Sequence, residues 1–227
     1  MSQFRILTTK ELFDILDKYT FKQLHIHHTW EPSHDNFTGT NHIYLQENMK
    51  HYHVNVRNFS DIAQHVTLTQ DGLWVTGRDF SKSPASIKGW NTGSFAVEML
   101  GNFDIGNDVL ENEQRESILV LIKYFITKYG EESIKFHREG PGVAKTCPGT
   151  SLNKNELILE AKILEQIFKD VDDHRWSYKW IKAVKELGLM TGDSKGNFNP
   201  TFPLTREEAA VVLVRIYEKI TGEKLVD

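Results

Sequence analysis

The sequence predicts a mixed α/β (α+β) fold: a central sheet flanked by helices, followed by a small C-terminal helical module. Three observations carry that expectation. The runs at 23–28 and 94–100 read as strands, the first by alternation and the second by its mostly apolar character. Residues 112–129 place Ile118, Leu121, Ile122, Phe125 and Tyr129 at three- and four-residue spacing, an amphipathic helix that Gly130 stops. After the acidic stretch Asp170-Val171-Asp172-Asp173 the composition changes, and two further amphipathic helices follow. The boundary is therefore set between 168 and 169, with units at 1–168 and 169–227.

Taken in order, residues 10–18 read as a short helix behind a Thr-rich cap. The strand at 23–28 ends in His27-His28. Asn41 can cap a helix that runs to about Tyr52, with Leu45, Met49 and Tyr52 on one face. Runs at 62–69 and 73–78 flank Asp71-Gly72, a hairpin turn signal. The strand at 94–100 carries one charge, Glu98, in an otherwise apolar setting. A strand at 133–137 ends in His137, and a Gly/Pro-rich loop carrying Cys147 leads to a helix at 153–168. In the last unit, helices are expected at 176–187 and 205–221, the second with Ala209, Val212, Leu213, Ile216 and Ile220 on one face. A helix pair of this size is marginal alone. It calls for packing on the first domain, on copies of itself or on a partner, so self-association is an expectation.

Composition narrows the function classes. The chain is 39% hydrophobic with 13 Phe and 5 Trp, enough for a real core. The formal net charge of -4 argues against a nucleic-acid binder working through bulk charge. No run of 18 apolar residues exists, so no membrane span is expected. The first ten residues are too polar for a secretory signal. A single cysteine forms no internal disulfide; it is buried filler, a nucleophile or a metal ligand.

The chemistry-bearing residues gather at the strand ends. His27-His28, His137 and Cys147 are metal-ligand types, and two imidazoles with one thiolate suit a catalytic zinc that keeps one position open for water. Neighbouring histidines on a strand point to opposite faces, so only one of His27 and His28 faces such a site. Single histidines are more often surface or core residues, and a lone cysteine is more often a small buried hydrophobe. Glu98 either meets solvent or points into a polar cleft, where it would suit acid–base work. Lys145, two residues before Cys147, could support an oxyanion or simply be solvated.

Four segments together resemble the N-acetylmuramoyl-L-alanine amidases of the Amidase_2 type, relatives of the peptidoglycan recognition proteins. They are Ile26-His27-His28-Thr29, the stretch from Ser94 through Glu98 to Phe103, Phe136-His137-Arg138, and Lys145-Thr146-Cys147-Pro148-Gly149. The resemblance covers about residues 20–165. It implies a central sheet with helices and one zinc ion held by His27, His137 and Cys147. Glu98 would act on the water and Lys145 on the carbonyl oxygen. The substrate implied is the amide bond between N-acetylmuramic acid and L-alanine in bacterial peptidoglycan. Many members carry Tyr-His where this chain has Gln64-His65, which shifts proton work toward Glu98 and leaves His65 as a contact to a metal ligand or to substrate.

The tail resembles one S-layer homology motif through Phe168, Val171, His174-Arg175-Trp176, Gly188-Leu189, Gly196-Asn197-Phe198 and Thr205-Arg206-Glu207. That module grips secondary cell-wall polymers. Trp176 could stack on a sugar and Arg206 pair with an acidic group, or both could be structural. A catalytic domain with a wall-affinity tail fits a phage endolysin held in the host cytoplasm until release. The rival expectations are a peptidoglycan-binding protein without catalysis and a zinc peptidase.

Overall fold

A computed structural model describes residues 4–164, 167–171 and 175–226 of the chain. His174, one of the tail motif residues, lies outside them, as do 165–166 and 172–173 in the expected helix and acidic break. The chain divides into two compact units, Met1–Leu164 and Glu165–Asp227.

The first unit is built on one six-stranded sheet. In chain order its strands are β1 (Ile6–Leu7), β2 (Gln23–His28), β3 (Val66–Leu68), β4 (Trp74–Thr76), β5 (Ser94–Met99) and β6 (Ile134–Phe136). They lie in the order β1-β4-β3-β5-β2-β6. β3 and β4 form the antiparallel hairpin expected around Asp71-Gly72, while β3, β5, β2 and β6 run parallel. The turn needs its glycine: Gly72 has φ +78°, and a Cβ there would sit 2.9 Å from the Glu113 backbone oxygen. β1 was not expected; two residues are too few to show a period, and pairing with β4 holds them.

Four helices complete the unit: α1 (Thr9–Leu16), α2 (His42–His51), α3 (Asn112–Tyr129) and α4 (Lys154–Ile163). α1 starts at a capping box, in which Thr8 Oγ1 accepts from Glu11 N–H and Glu11 accepts from Thr8 N–H. α2 runs on into a wide π-type turn at Tyr52–Val56, where the sequence carries no signal for one.

Strand parity sorts the side chains. Leu24, Ile26, Phe95, Val97, Met99, Ile134 and Phe136 join one core with Leu12 and Leu16 of α1, Ile118, Leu121, Ile122 and Phe125 of α3, and Leu157 and Ala161 of α4. Each fully buried large side chain there contributes roughly 1.5–3 kcal/mol. Arg115 clamps α3 to α4 through Glu160 at 2.7 Å. The opposite face is polar at its centre, and α2 covers one end of it by bonding Gln46 to Thr67 and Thr76.

The second unit holds α5 (Tyr178–Glu186) and α6 (Arg206–Thr221). Its buried core comprises Ile167, Phe168, Val171 and Ile181. α6 opens at a Thr205–Glu208 capping box and closes on Gly222 at φ +74°. Asp193 organises the loop before α6 by accepting from the N–H groups of Lys195 and Asn197 and the side chain of Asn199. Among the described residues no helix is long and apolar enough to cross a membrane.

Candidate metal centre

Parity builds the site before any chemistry is invoked. β2, β5 and β6 are neighbours, with His27 opposite Glu98 and His25 opposite Lys135. In parallel strands such partners share a face. His27 and Glu98 therefore stand side by side on the polar face, and His137, two residues past Lys135, follows them. His28 takes the other face. Its Nδ1 accepts from Phe103 N–H at 3.2 Å, and its ring lies 6.3 Å from the Phe103 ring.

Cys147 reaches the same spot through its loop. His28 N–H donates to Cys147 Sγ at 3.4 Å. Arg138 staples the loop: its N–H donates to the Cys147 carbonyl at 2.9 Å, and its guanidinium donates to the carbonyls of Thr146, Gly149 and Leu152 at 3.1, 2.7 and 2.6 Å. Gly149, at φ +126°, lets the chain pass Phe103, whose carbonyl oxygen would lie 2.3 Å from any Cβ.

The result is a convergence of three donors. Nitrogens of His27 and His137 and the sulfur of Cys147 lie within 4.8 Å of one another. His27 Nδ1 is 3.6 Å from Cys147 Sγ, and the two imidazole centroids are 4.5 Å apart. Tetrahedral zinc, with bonds of about 2.0 Å to nitrogen and 2.3 Å to sulfur, puts N and S ligands ~3.6 Å apart. The donor set therefore fits zinc in type and in spacing. The trio opens on a cleft of about 880 Å³, also lined by Glu98, Lys145 and Arg57.

Burial sets the protonation states at the site. Burial first, then the neighbouring His137, holds His27 well below the usual imidazole range. Burial, helped by Lys145, pulls His137 down to about 4. Burial pushes the Cys147 thiol up to about 12, against the pull of the His28 N–H. The pocket thus offers neutral imidazoles and a thiol that a cation must deprotonate. Burial also lifts the Glu98 carboxyl to about 8, and the Lys145 ammonium draws it back.

Of the remaining sequence candidates, one reaches the cleft and the others do not. Lys145 stands exposed on the rim of the cleft. His65 is not brought to the site: its Nδ1 accepts from Ala96 N–H at 3.0 Å, its Nε2 donates to the Lys82 carbonyl at 2.8 Å, and its ring stacks on Phe95. Both nitrogens are committed to backbone, so the contact expected of it with a metal ligand or substrate is replaced by a structural one. Gln64 is buried and donates to Thr67. Trp176 and Arg206 belong to the second unit. Trp176 is 84% exposed, so it is not core, and Arg206 is the exposed first residue of α6. Sequence reasoning missed Arg57 and Ser86, both of which line the cleft. Neither lies in a pattern that sets it apart from an ordinary loop residue.

Comparison with known proteins identifies the family. A family model described as N-acetylmuramoyl-L-alanine amidase matches residues 17–150, more than half of the chain. The chain belongs to the N-acetylmuramoyl-L-alanine amidase family. In this family member a second match, to the S-layer homology domain, covers residues 167–210. An endoglucanase of Bacillus sp. (strain KSM-635) is 42% identical over 67 residues, 30% of this chain and 7% of that enzyme. An uncharacterized cell wall amidase of Bacillus anthracis is 33% identical over 73 residues, 31% of this chain and 14% of that protein. This amidase-family chain thus aligns with only a small part of either relative. The N-acetylmuramoyl-L-alanine amidase LysC from Clostridium intestinale URNW shares the fold, with a TM-score of 0.51 and 22% identity over 64% of this chain and 87% of that one.

Proposed function

We propose that the first unit hydrolyses the amide bond between N-acetylmuramic acid and L-alanine in peptidoglycan, with one zinc ion held by His27, His137 and Cys147. The observation that carries this reading is the convergence of those donors beside Glu98 in one open cleft. Zinc bound there would supply an acidified water and a Lewis acid. Glu98 takes the proton of the attacking water as its oxygen adds to the lactyl carbonyl carbon. It then passes that proton to the departing nitrogen of L-alanine as the C–N bond breaks. Burial suits it to both duties, because a carboxyl lifted toward neutral pH gains and loses a proton readily. Lys145 places its charge where the carbonyl oxygen turns negative. Arg57 offers a cation to the acidic groups of the stem peptide.

The second unit serves wall affinity in this proposal, with Trp176 and Arg206 presented to a secondary cell-wall polymer. We include self-association through it, because no residue of α6 is fully buried and Leu213 and Ile220 stand exposed. Light scattering decides this, and a strictly monomeric protein ends it. The pairing of a cleaving unit with a wall-binding motif supports an endolysin role in phage lysis. Induced expression in a host whose membrane has been permeabilised should then lyse it.

The chemistry is tested by digesting purified walls with wild type, Glu98→Ala and Cys147→Ser. Glu98→Ala should lose roughly 10²–10⁴-fold in rate, and Cys147→Ser should be inactive. Near-full activity in either variant would refute the assigned role. Wild-type protein that binds walls without cutting them would favour the recognition reading, and peptide termini without free lactyl carboxylates would favour a peptidase.

A further inference from the structure

His27 has a second nitrogen, and its partner leads to a chain of contacts that the proposed reaction does not use. His27 Nε2 lies 2.5 Å from Ser86 Oγ. The same hydroxyl lies 3.0 Å from His25 Nδ1, and His25 Nε2 lies 3.0 Å from Gln23 Oε1. Residues 23, 25 and 27 share a strand face, so Ser86 bridges two rungs of one ladder.

With the Gln23 carbonyl oxygen facing His25, hydrogen-bond directions along this chain have one consistent solution. The Gln23 carbonyl oxygen can only accept, so His25 Nε2 donates. A neutral imidazole carries a single N–H, so His25 Nδ1 accepts, and the Ser86 hydroxyl donates to it. Ser86 Oγ then accepts from His27 Nε2–H. The bare nitrogen of His27 is therefore Nδ1, the atom 3.6 Å from Cys147 Sγ.

The serine is held to this duty by backbone. Ser86 N–H donates to Asn91 Oδ1 at 3.0 Å, Ala85 N–H donates to the Ala63 carbonyl at 3.0 Å, and Ile87 is fully buried. The hydroxyl therefore sits in a fixed place when the metal-facing tautomer is chosen.

We propose that Ser86 is a positioning residue that fixes the tautomer and ring orientation of His27, with Gln23 and His25 setting the direction of its hydrogen bond. This rests on the metal centre proposed above. It predicts a metal affinity that depends on one hydroxyl outside the ligand trio, since outer partners of ligating histidines typically control affinity by 10–100-fold.

Cobalt(II) and zinc(II) titrations of the full chain, read by the cobalt spectrum and by competition with a chelator, test it. Ser86→Ala should bind about 10–100-fold more weakly, Ser86→Thr should recover most of the loss, and metal-free melting temperatures should stay together. Wild-type affinity in Ser86→Ala, or equal loss in Ser86→Ala and Ser86→Thr, would overturn the proposal. If Ser86→Ala does not fold, Gln23→Leu reads the same chain from its far end; weaker binding supports the proposal and unchanged binding overturns it. Failure of the wild type to bind either metal would instead remove the metal centre itself.

Discussion

Helices α3 and α6 are similar in length, 18 and 16 residues, and both carry an apolar stripe. α3 fully buries Gln114, Ile118, Leu119, Leu121, Ile122 and Phe125, whereas α6 has half-buried residues such as Val212 and Ile216 and none fully buried. A stripe states which side of a helix needs covering, not what covers it. In the first unit a six-stranded sheet supplies the surface, and rigidity follows. That rigidity holds two strand-end histidines, a loop thiol and a carboxylate within reach of one another. In the second unit a small core leaves Leu213 and Ile220 exposed, at 66% and 79%. Its fold has little to spare before a partner adds to it.

The largest difference should appear in truncation. Phe95→Ala removes a fully buried ring packed against Phe21, Phe80 and Phe125, and should cost about 3–5 kcal/mol in chemical denaturation. Leu213→Ala should change stability by less than ~0.5 kcal/mol. A large loss at Leu213 would break the contrast and mean that something covers α6.

Next comes wall retention. Trp176→Ala should leave catalysis on soluble fragments unchanged and lower retention on intact walls in a pull-down. Equal retention would assign the ring no part in binding.

The smallest effect separates the units by pH. Asp193 is held down to about 2, first by the Asn197 N–H and then by its other donors. Its folded value lies below the unfolded one of about 3.9, so its stabilisation is complete above that pH and is lost as pH falls toward 2. Acid unfolding of the second unit, followed by circular dichroism, should lose part of its slope in that window in Asp193→Asn. An identical slope would show that the loop contributes nothing.

Much of this was legible in the sequence for a physical reason: periodicity reports burial, and burial dominates the first unit. Parity at His27-His28 already required that one histidine turn away, and His28 does. Glu98 stood out as a carboxylate in an apolar strand, and the fold sets it opposite His27 on the polar face. What stayed hidden depended on long-range packing. His65 looks like a ligand type in sequence, yet its surroundings are backbone groups and aromatic rings. Ser86 is one serine in a polar loop, and only folding brings it to both His25 and His27. The two-residue β1 is likewise set by its pairing with β4.

The central claim is that three side chains hold one zinc ion for cleavage of the muramoyl–alanine amide. The direct measurement is mass spectrometry of purified walls digested by untreated, chelator-treated and zinc-restored protein. New alanine amino termini should appear in equal number with free lactyl carboxylates, vanish on chelation and return with zinc. Undiminished cleavage in the chelated, metal-free protein would contradict the account.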